Sequence, residues 1–273
     1  MKYLTFNNGV KTPIFGFGTY RIQPRITEGA VAEALKAGYR LIDTAQAYSN
    51  EAEVGNAINK SGIKREDIFL TTKAQTSGYR ETKKGIDESL IRAQQDYFDL
   101  MIIHWPMSDS LGTYQALEEA YQAGKLRSIG LSNFNHDQVN EIMNNFDTKP
   151  VIDQIETSVF KQQKKMHKYL IENNIVHESW SPLGEGMKAL FNDPALLSLA
   201  EKYNKTVPQI ALHFLVQENI MTIPGSTNPL HMKDNLDIFD FEFTAEEMET
   251  LRGLDQKRGI GGWPASMDQE LDY

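Results

Sequence analysis

Eight short apolar runs alternate with amphipathic stretches along the chain, and this alternation restricts the possible folds more than any other feature. The apolar runs, which we predict to be β-strands, are residues 14–17, 40–43, 68–72, 98–103, 127–131, 151–155, 175–180 and 220–223. Several are almost continuously apolar, as parallel strands covered on both faces are. The stretches between them carry apolar residues at the i, i+3, i+4 spacing of helices. No linker or change in composition interrupts the series, so we predict a single α/β domain over residues 1–273, a (β/α)8 TIM barrel.

Three smaller features complete the predicted architecture. Asn8-Gly9 between two short runs predicts an N-terminal β-hairpin, and Asn50, three residues before a glutamate, is predicted to cap a helix. Residues 244–254 predict an extra helix, followed by a C-terminal loop over residues 255–273. The competing fold is a doubly wound open sheet, but the glycine-rich G-x-G-x-x-G turn that would favour it does not follow the first strand.

The composition excludes several classes of protein. The chain has no cysteine, which rules out disulfides, thiolate catalysis and cysteine-ligated metal sites. The net charge of -9 argues against a nucleic-acid or anionic-membrane surface. There is no apolar signal region and no apolar run of membrane-spanning length. We therefore expect a cytoplasmic protein with neither a nucleic-acid nor a membrane partner.

Side chains capable of acid–base chemistry lie at or near the ends of three successive predicted strands. Asp43 ends the second strand, and Tyr48 follows in the loop above it. Lys73 follows the third strand, and His104 follows the fourth. Active sites of α/β barrels form at the carboxyl ends of the strands, so we expect these four side chains to meet.

Together the four groups are suited to protonating a carbonyl oxygen. A free tyrosine has a pKa of roughly 10, and we expect a nearby ammonium to lower it. Asp43 would hold Lys73 in place, and His104 would orient the carbonyl. The result is general acid catalysis with electrostatic stabilisation of a developing alkoxide. None of the four carries electrons, so a reduction would need a borrowed hydride donor.

Each residue taken alone has an ordinary structural explanation, and other functions remain open. Asp43 could be a helix cap, Lys73 a solvated lysine and His104 a structural histidine. A barrel that binds a nucleotide as a sensor, without turnover, is one alternative. A Schiff-base lyase would use Lys73 as its nucleophile. A retaining glycosidase would need two carboxylates about 5 Å apart, and Glu178 has no evident carboxylate partner at the end of the fourth strand, where His104 lies.

Seven short motifs resemble those of aldo-keto reductases, in particular the bacterial diketogluconate and aldehyde reductases. In chain order they are GYRLIDTA (38–45), YSNE (48–51), TTK (71–73), IHWP (103–106), GLSNF (130–134), QIE (154–156) and SPLG (181–184). Each motif is weak alone, but their order and spacing are specific and extend over essentially the whole chain. The resemblance implies a barrel oxidoreductase that reduces an aldehyde or ketone to an alcohol with hydride from NAD(P)H.

The resemblance also implies roles for individual residues. Tyr48 would be the proton donor, tuned by Asp43 and Lys73, and His104 would position the carbonyl. The residues implied to hold the nicotinamide carboxamide, stack on the ring or line the pyrophosphate are Ser132, Asn133, Gln154, Trp180, Ser181, Leu183 and Gly184. A monomer is expected on the same ground.

The sequence departs from the family where the 2′-phosphate of NADP(H) would bind. The family usually has a lysine after strand eight and an arginine six residues later, and Gly225 and His231 replace them here. Four further positions match or nearly match the family: Ser226, Thr227, Asn235 and, in place of a glutamate, Asp234. A neutral histidine lacks the charge and the donor fork of arginine. We therefore expect NADP(H) by resemblance, with a weakened preference that leaves NAD(H) possible.

The wall of the substrate pocket is also expected to differ from the family. Tyr20 stands where a tryptophan is common, and Ala74-Gln75 replaces a family tryptophan that follows the lysine. The residues predicted to line the pocket for a small carbonyl substrate are Tyr20, Tyr79, Trp105, Met107 and Trp263.

Overall fold

The computed structural model describes residues 2–261 and forms one parallel barrel surrounded by helices. The first half of the chain contains β1 (Tyr3–Thr5), β2 (Lys11–Pro13), β3 (Phe17–Gly18), α1 (Pro24–Ala37), β4 (Leu41–Asp43), α2 (Glu51–Lys60), β5 (Phe69–Ala74), α3 (Tyr79–Ala93), β6 (Leu100–Ile103), α4 (Ser110–Gln122), β7 (Ile129–Ser132) and α5 (His136–Asn145). The second half contains β8 (Ile152–Glu156), α6 (Lys164–Glu172), β9 (Val176–Trp180), α7 (Lys188–Phe191), α8 (Pro194–Tyr203), α9 (Val207–Gln217), β10 (Met221–Thr222), α10 (Pro229–Leu236) and α11 (Ala245–Arg252).

Strands β3 to β10 pair in parallel, each with its neighbour in sequence, and the first and last close on each other. Two backbone hydrogen bonds close the barrel. The Gly16 amide donates to the Thr222 carbonyl at 2.9 Å, and the Thr222 amide donates to the Ile14 carbonyl at 3.0 Å. The predicted first strand is therefore divided. Residues 14–16 pair with β10, and only Phe17–Gly18 pairs in register with β4. The predicted (β/α)8 barrel is confirmed.

The N-terminal hairpin closes the amino-terminal end of the barrel. Strands β1 and β2 are antiparallel, and Gly9 has the positive φ of 84° that a tight turn requires. Phe6 is buried and packs edge-to-face on Phe69, at the start of β5, with 6.0 Å between the ring centroids. This end of the barrel is thereby filled, and its opposite end is left for a site.

The loops that follow β3 and β4 are tied together by Asn50. The sequence predicted that a helix begins here with Asn50 as its cap. Asn50 does occupy the N-cap position of α2, but its side chain makes no capping hydrogen bond. Instead, the buried amide accepts from Thr44 Oγ1 at 2.7 Å and donates to the Thr19 carbonyl at 3.2 Å. Tyr48 is held just before it in a 3₁₀ turn, Gln46–Tyr48.

The extra helix predicted near the C-terminus is present as α11. Thr244 and Glu247 form its capping box, and its buried residues pack in a second apolar cluster with those of α8 and α9. The short helix α7, in the long loop after β9, was not predicted. None of the helices in residues 2–261 combines the length and the apolar character needed to span a membrane.

Candidate active site

A cavity of about 470 Å³ opens at the carboxyl ends of the barrel strands. Its wall is formed by residues at the ends of seven of the eight barrel strands and in the loops that follow those strands. The predicted site residues that line it are Tyr20, Asp43, Tyr48, His104, Trp105, Ser132, Asn133, Gln154, Trp180, Ser181, Leu183, Ser226 and Thr227. The strand-end rule therefore places most of the predicted residues around one space.

Asp43, Lys73 and Tyr48 are in contact at one side of the cavity. Lys73 lies within β5 rather than beyond it, and its fully buried ammonium donates to Asp43 Oδ1. The same nitrogen donates to the Tyr48 hydroxyl at 3.2 Å and to the Thr44 carbonyl at 3.1 Å. All three hydrogens of the ammonium are thus accounted for, and Lys73 is fixed beneath the phenol.

Burial and the ion pair act in opposite directions on these groups. Burial raises the pKa of the Asp43 carboxyl, and Lys73 opposes that shift. Burial alone would lower the pKa of Lys73, but Asp43 and Tyr48 raise it above its ordinary value. Because the ammonium has three acceptors within hydrogen-bond reach, we take Lys73 as charged and Asp43 as its ionised partner.

The phenol of Tyr48 is held in its protonated form. Burial raises its pKa to about 12, and the opposing effect of Lys73 is smaller. The sequence predicted a lowered value, and that prediction is wrong because it counted the ammonium and not the loss of water around a phenolate. Lys73 donates to the Tyr48 oxygen, and no described residue accepts the hydroxyl hydrogen. That hydrogen is left to point into the cavity.

His104 lies beside Tyr48 as a neutral imidazole. The two rings meet edge-to-face with 5.6 Å between their centroids, and the Trp105 ring packs on His104 at 4.2 Å. Burial, with a contribution from Lys73, lowers the pKa of His104 to about 2. A neutral imidazole carries one N–H donor and does not add a second charge next to the phenol.

A network of hydrogen bonds joins the ends of β6, β7, β8 and β9. Asn133 donates to the His104 carbonyl at 3.0 Å and accepts from Trp180 Nε1 at 2.9 Å. Ser132 donates to the Gln154 carbonyl at 2.7 Å. The Gln154 amide nitrogen donates to Asp43 Oδ2 at 3.2 Å and so joins this network to the Lys73 ion pair.

The loop after β9 presents backbone and small side chains to the cavity. Ser181 has a left-handed φ of 56°, and its buried hydroxyl has no hydrogen-bond partner among residues 2–261. Gly184 also adopts a positive φ, 58°, and belongs to the same turn, though it does not itself line the cavity. Across the mouth, Glu185 of this loop forms an ion pair with Arg21 of the loop after β3.

The strand-eight loop contains a close approach of two glycines. A Cβ on Gly225 would lie 2.7 Å from the carbonyl oxygen of Gly18, and one on Gly18 would lie 2.7 Å from that of Ile223. The backbone contact therefore leaves no room for the lysine that the family usually has here. His231 and Asp234 are exposed on α10, just beyond the cavity, and Asn235 is buried in the same helix.

The predicted substrate wall is only partly correct. Tyr20 and Trp105 line the cavity, with 5.1 Å between the centroids of Tyr20 and Tyr48. Met107 and Tyr79 do not line it. The Met107 backbone bonds with the Ser110 hydroxyl, and the Tyr79 hydroxyl donates to Glu119. Trp263 lies outside the described residues.

Several residues that line the cavity were not predicted from the sequence, among them Arg21, Glu185 and Phe191. The opposite charges of Arg21 and Glu185, in the loops after the first and seventh barrel strands, are a signal that could have found that pair. No comparable signal marks Phe191, because α7 itself was not predicted.

The chemistry of the wall fits a nicotinamide dinucleotide. The two hydrogens of the Gln154 amide are used inside the protein, which leaves its oxygen as an acceptor for a carboxamide. The Ser181 hydroxyl is a donor without a partner, suited to a phosphate oxygen. Gly18 and Gly225 line the cavity with backbone alone.

Comparison with known proteins gives a consistent family assignment. The sequence model of the Aldo/keto reductase family matches residues 14–256. The glyoxal reductase of Bacillus subtilis is 39% identical over 263 residues, covering 94% of each chain. The morphine 6-dehydrogenase of Pseudomonas putida is 36% identical, covering 97% of this chain and 95% of its own length.

Solved structures agree with the sequence relatives. An aldo-keto reductase enzyme from a Medee basin deep-sea metagenome library superposes with a TM-score of 0.92 at 38% identity, covering 95% of this chain and 97% of its own. The Bombyx mori aldo-keto reductase in complex with NADP superposes with a TM-score of 0.90 at 33% identity, covering 95% and 94%. This chain therefore belongs to the aldo/keto reductase family and is an NAD(P)H-dependent oxidoreductase of carbonyl compounds.

Proposed function

We propose that the chain reduces an aldehyde or ketone to an alcohol with Tyr48 as the proton donor. The observation that carries this proposal is the direction of one hydrogen bond. Lys73 donates to the Tyr48 oxygen at 3.2 Å, so the hydrogen of the phenol is available to a carbonyl in the cavity. As the carbonyl oxygen gains negative charge, the ammonium behind the phenol stabilises the phenolate that forms.

Asp43 and His104 support this transfer in different ways. Asp43 holds Lys73 in place, which keeps the ammonium protonated and directed at the phenol. His104, neutral and partly exposed to the cavity, offers its N–H to the substrate oxygen next to Tyr48. The Trp105 ring packed on His104 restricts how the imidazole can turn. The carbonyl oxygen thus meets two donors whose positions are set before the substrate arrives.

The nicotinamide is proposed to lie against Ser132, Asn133 and Gln154, with Trp180 stacked on its ring. This group supplies the hydride when bound. Trp180 is held in place by its hydrogen bond to Asn133, so the stacking surface and the amide cluster form one unit. We place the pyrophosphate at Ser181, Leu183 and Gly184, under the Arg21–Glu185 ion pair.

We propose that the cofactor preference is less strict than in relatives that carry both cations. The adenosine end would meet Ser226 and Thr227 and then the exposed face of α10, where His231 stands in the family's arginine position. The Gly18–Gly225 contact argues that the lysine cannot be restored by substitution alone. His231→Arg is open to test, because its side chain is exposed.

The expected result is that His231→Arg tightens NADPH binding by roughly tenfold and leaves NADH binding unchanged, as one fork of donors on a phosphate would. The measurement is titration of tryptophan quenching with each nucleotide. Equal tightening of both nucleotides would show that residue 231 does not meet the 2′-phosphate. A parent that prefers NADPH by more than about a thousandfold would contradict the relaxed preference itself.

Turnover of a carbonyl panel separates this function from the nucleotide-sensing alternative. Glyoxal belongs in the panel, because a relative 39% identical is named glyoxal reductase. Oxidation of NADPH or NADH that depends on a carbonyl supports a reductase. Tight nucleotide binding with no turnover of any carbonyl would support a sensor. We also expect a monomer, which light scattering of the purified protein would check, and a cytoplasmic location, which fractionation of cells would check.

A further inference from the structure

Glu178 is a buried carboxyl that the proposed reaction does not use. It lies in the middle of β9, is fully buried, and does not line the cavity. Its Oε2 accepts from the Gln154 amide nitrogen at 2.8 Å. Its Oε1 has no hydrogen-bond partner among residues 2–261. A buried carboxyl with half of its capacity unused is costly to fold, which calls for an explanation.

The Gln154 amide is held between two carboxyls. One hydrogen of its nitrogen goes to Glu178, and the other goes to Asp43 Oδ2 at 3.2 Å. An amide turned by half a rotation would lose its hydrogen bonds to both carboxyls, and its oxygen would be repelled by the ionised Asp43. The two acceptors therefore fix which end of the amide faces inward, and its oxygen is presented toward the cavity that Gln154 lines.

We propose that Glu178 is a positioning residue of the nicotinamide site, which locks the Gln154 amide and places a switchable negative charge beneath the nicotinamide ring. The proposal rests on the placement of the nicotinamide against Gln154 proposed above. Glu178 touches neither the cofactor nor the substrate: it holds Gln154 by a hydrogen bond and acts on the ring through its charge.

The charges around Glu178 determine what this switch does. Charged groups face it from two strands, Asp43 from β4 and Lys73 from β5, while β8 supplies the neutral Gln154 and β10 the apolar Met221 beside it in register. One ammonium balances one carboxylate, so ionised Glu178 leaves the group with a net charge of one unit negative. Burial, and next the charge of Asp43, raise the pKa of Glu178 to about 8.

The charge of Glu178 should change the affinity for the oxidised and the reduced cofactor by different amounts. The oxidised nicotinamide ring is positive and the reduced ring is neutral, while the rest of the molecule is the same. Ionised Glu178 therefore favours the oxidised form, and oxidised cofactor favours loss of the Glu178 proton. The preference for NADP+ over NADPH should strengthen as the pH rises through the Glu178 titration.

The test is to titrate both cofactor forms by tryptophan quenching across that pH range. In the parent we expect the ratio of the Kd of NADP+ to the Kd of NADPH to fall about tenfold as the pH rises. That is the size of effect expected when one charge acts across a partly shielded protein interior. In Glu178→Gln, which keeps an acceptor for Gln154 but cannot ionise, the ratio should not change with pH. Asp153→Asn is the matched control: it removes a buried carboxyl next to Gln154 that does not line the cavity, and its ratio should follow the parent.

A parent ratio that does not change with pH would overturn the proposal, and so would a Glu178→Gln ratio that still falls.

Calorimetry of the parent in two buffers gives a second result that needs no variant. Binding of NADP+ near the Glu178 titration should release a proton, and binding of NADPH should not. Release of equal amounts with both forms would overturn the proposal. Failure of the parent to bind either form would instead refute the proposed cofactor site.

Discussion

Two clusters in this protein contain the same three functional groups, a phenol, an ammonium and a carboxylate. In the cavity, Lys73 Nζ lies 3.2 Å from the Tyr48 hydroxyl and in contact with Asp43. On the surface, Lys83 Nζ lies 2.9 Å from the Tyr79 hydroxyl and 3.0 Å from Glu119. Each ammonium also lies near the face of its tyrosine ring, at 4.9 and 5.2 Å from the centroid.

The two clusters differ in where the phenol hydrogen goes. Tyr79 donates its hydrogen to Glu119 at 2.7 Å, so that hydrogen is already bound. The carboxylate of the cavity cluster contacts the lysine instead, and no described residue accepts from Tyr48. Lys73 is also fully buried, whereas the side chain of Lys83 is 57% exposed and its charge is shielded by water. The same three groups can therefore make a surface contact or a proton donor, depending on burial and hydrogen-bond direction.

Loss of the buried lysine should have the largest effect. Lys73→Met leaves Asp43 buried without its cation, so we expect a loss of about 3–5 kcal/mol in the free energy of unfolding. Lys83→Met, the surface counterpart, should lower the unfolding midpoint only slightly, because exposed ion pairs contribute little. Urea denaturation of both variants and the parent measures this difference. Similar losses in the two variants would show that burial does not distinguish the clusters.

The loss in Lys73→Met should also depend on pH in a defined direction. Without the cation, burial holds the pKa of Asp43 above its unfolded value. A raised carboxyl pKa favours the folded state where the carboxyl is protonated, so the deficit should shrink as pH falls toward about 4. A deficit that grows at low pH would contradict this assignment.

An intermediate effect is expected in the pH profile of reduction. Since burial raises the pKa of Tyr48 to about 12, the proton donor stays protonated where an ordinary tyrosine ionises. At saturating cofactor and substrate, kcat should remain level through roughly pH 10, the usual tyrosine value, and fall only above it. A fall in kcat that is centred well below that value, and that persists in Glu178→Gln, would mean that Lys73 outweighs burial.

The smallest effect is expected from the surface carboxylate. Hydrogen bonds from Tyr79 and Lys83 lower the pKa of Glu119, and Glu119→Gln removes this carboxylate from a cluster that is open to water. We expect a slight drop in unfolding midpoint that disappears in high salt, because exposed ion pairs are screened. A drop that persists in high salt would show that this cluster is more shielded than its exposure indicates.

The parts of the site that could be predicted from sequence are those fixed by strand ends. Asp43, Tyr48 and His104 were found because parallel strands bring their carboxyl ends to one edge, and strand ends are visible as the limits of apolar runs. Lys73 was found by the same rule, although it lies inside β5. Such positions depend on local periodicity, which a single sequence records.

Burial and long-range partners could not be predicted in the same way. The direction of the Tyr48 pKa shift depends on how completely the surrounding loops exclude water. Asn50 was assigned as a cap from its local spacing, but its partners Thr19 and Thr44 come from two different loops. Nothing in the spacing of the sequence connects Glu178 with Asp43. The two carboxyls are joined through the amide of Gln154, which precedes Glu178 by 24 residues.

The rate of hydride transfer in a single turnover, followed as loss of NADPH absorbance, tests whether Tyr48 is the proton donor. The variants are Tyr48→Phe and its surface counterpart Tyr79→Phe, each checked for NADPH binding beforehand. We expect Tyr48→Phe to bind NADPH like the parent and to transfer hydride at least about a hundredfold more slowly, as loss of a general acid would. Tyr79→Phe should react at the parent rate. A Tyr48→Phe rate close to that of the parent would contradict the assignment of Tyr48 as the proton donor.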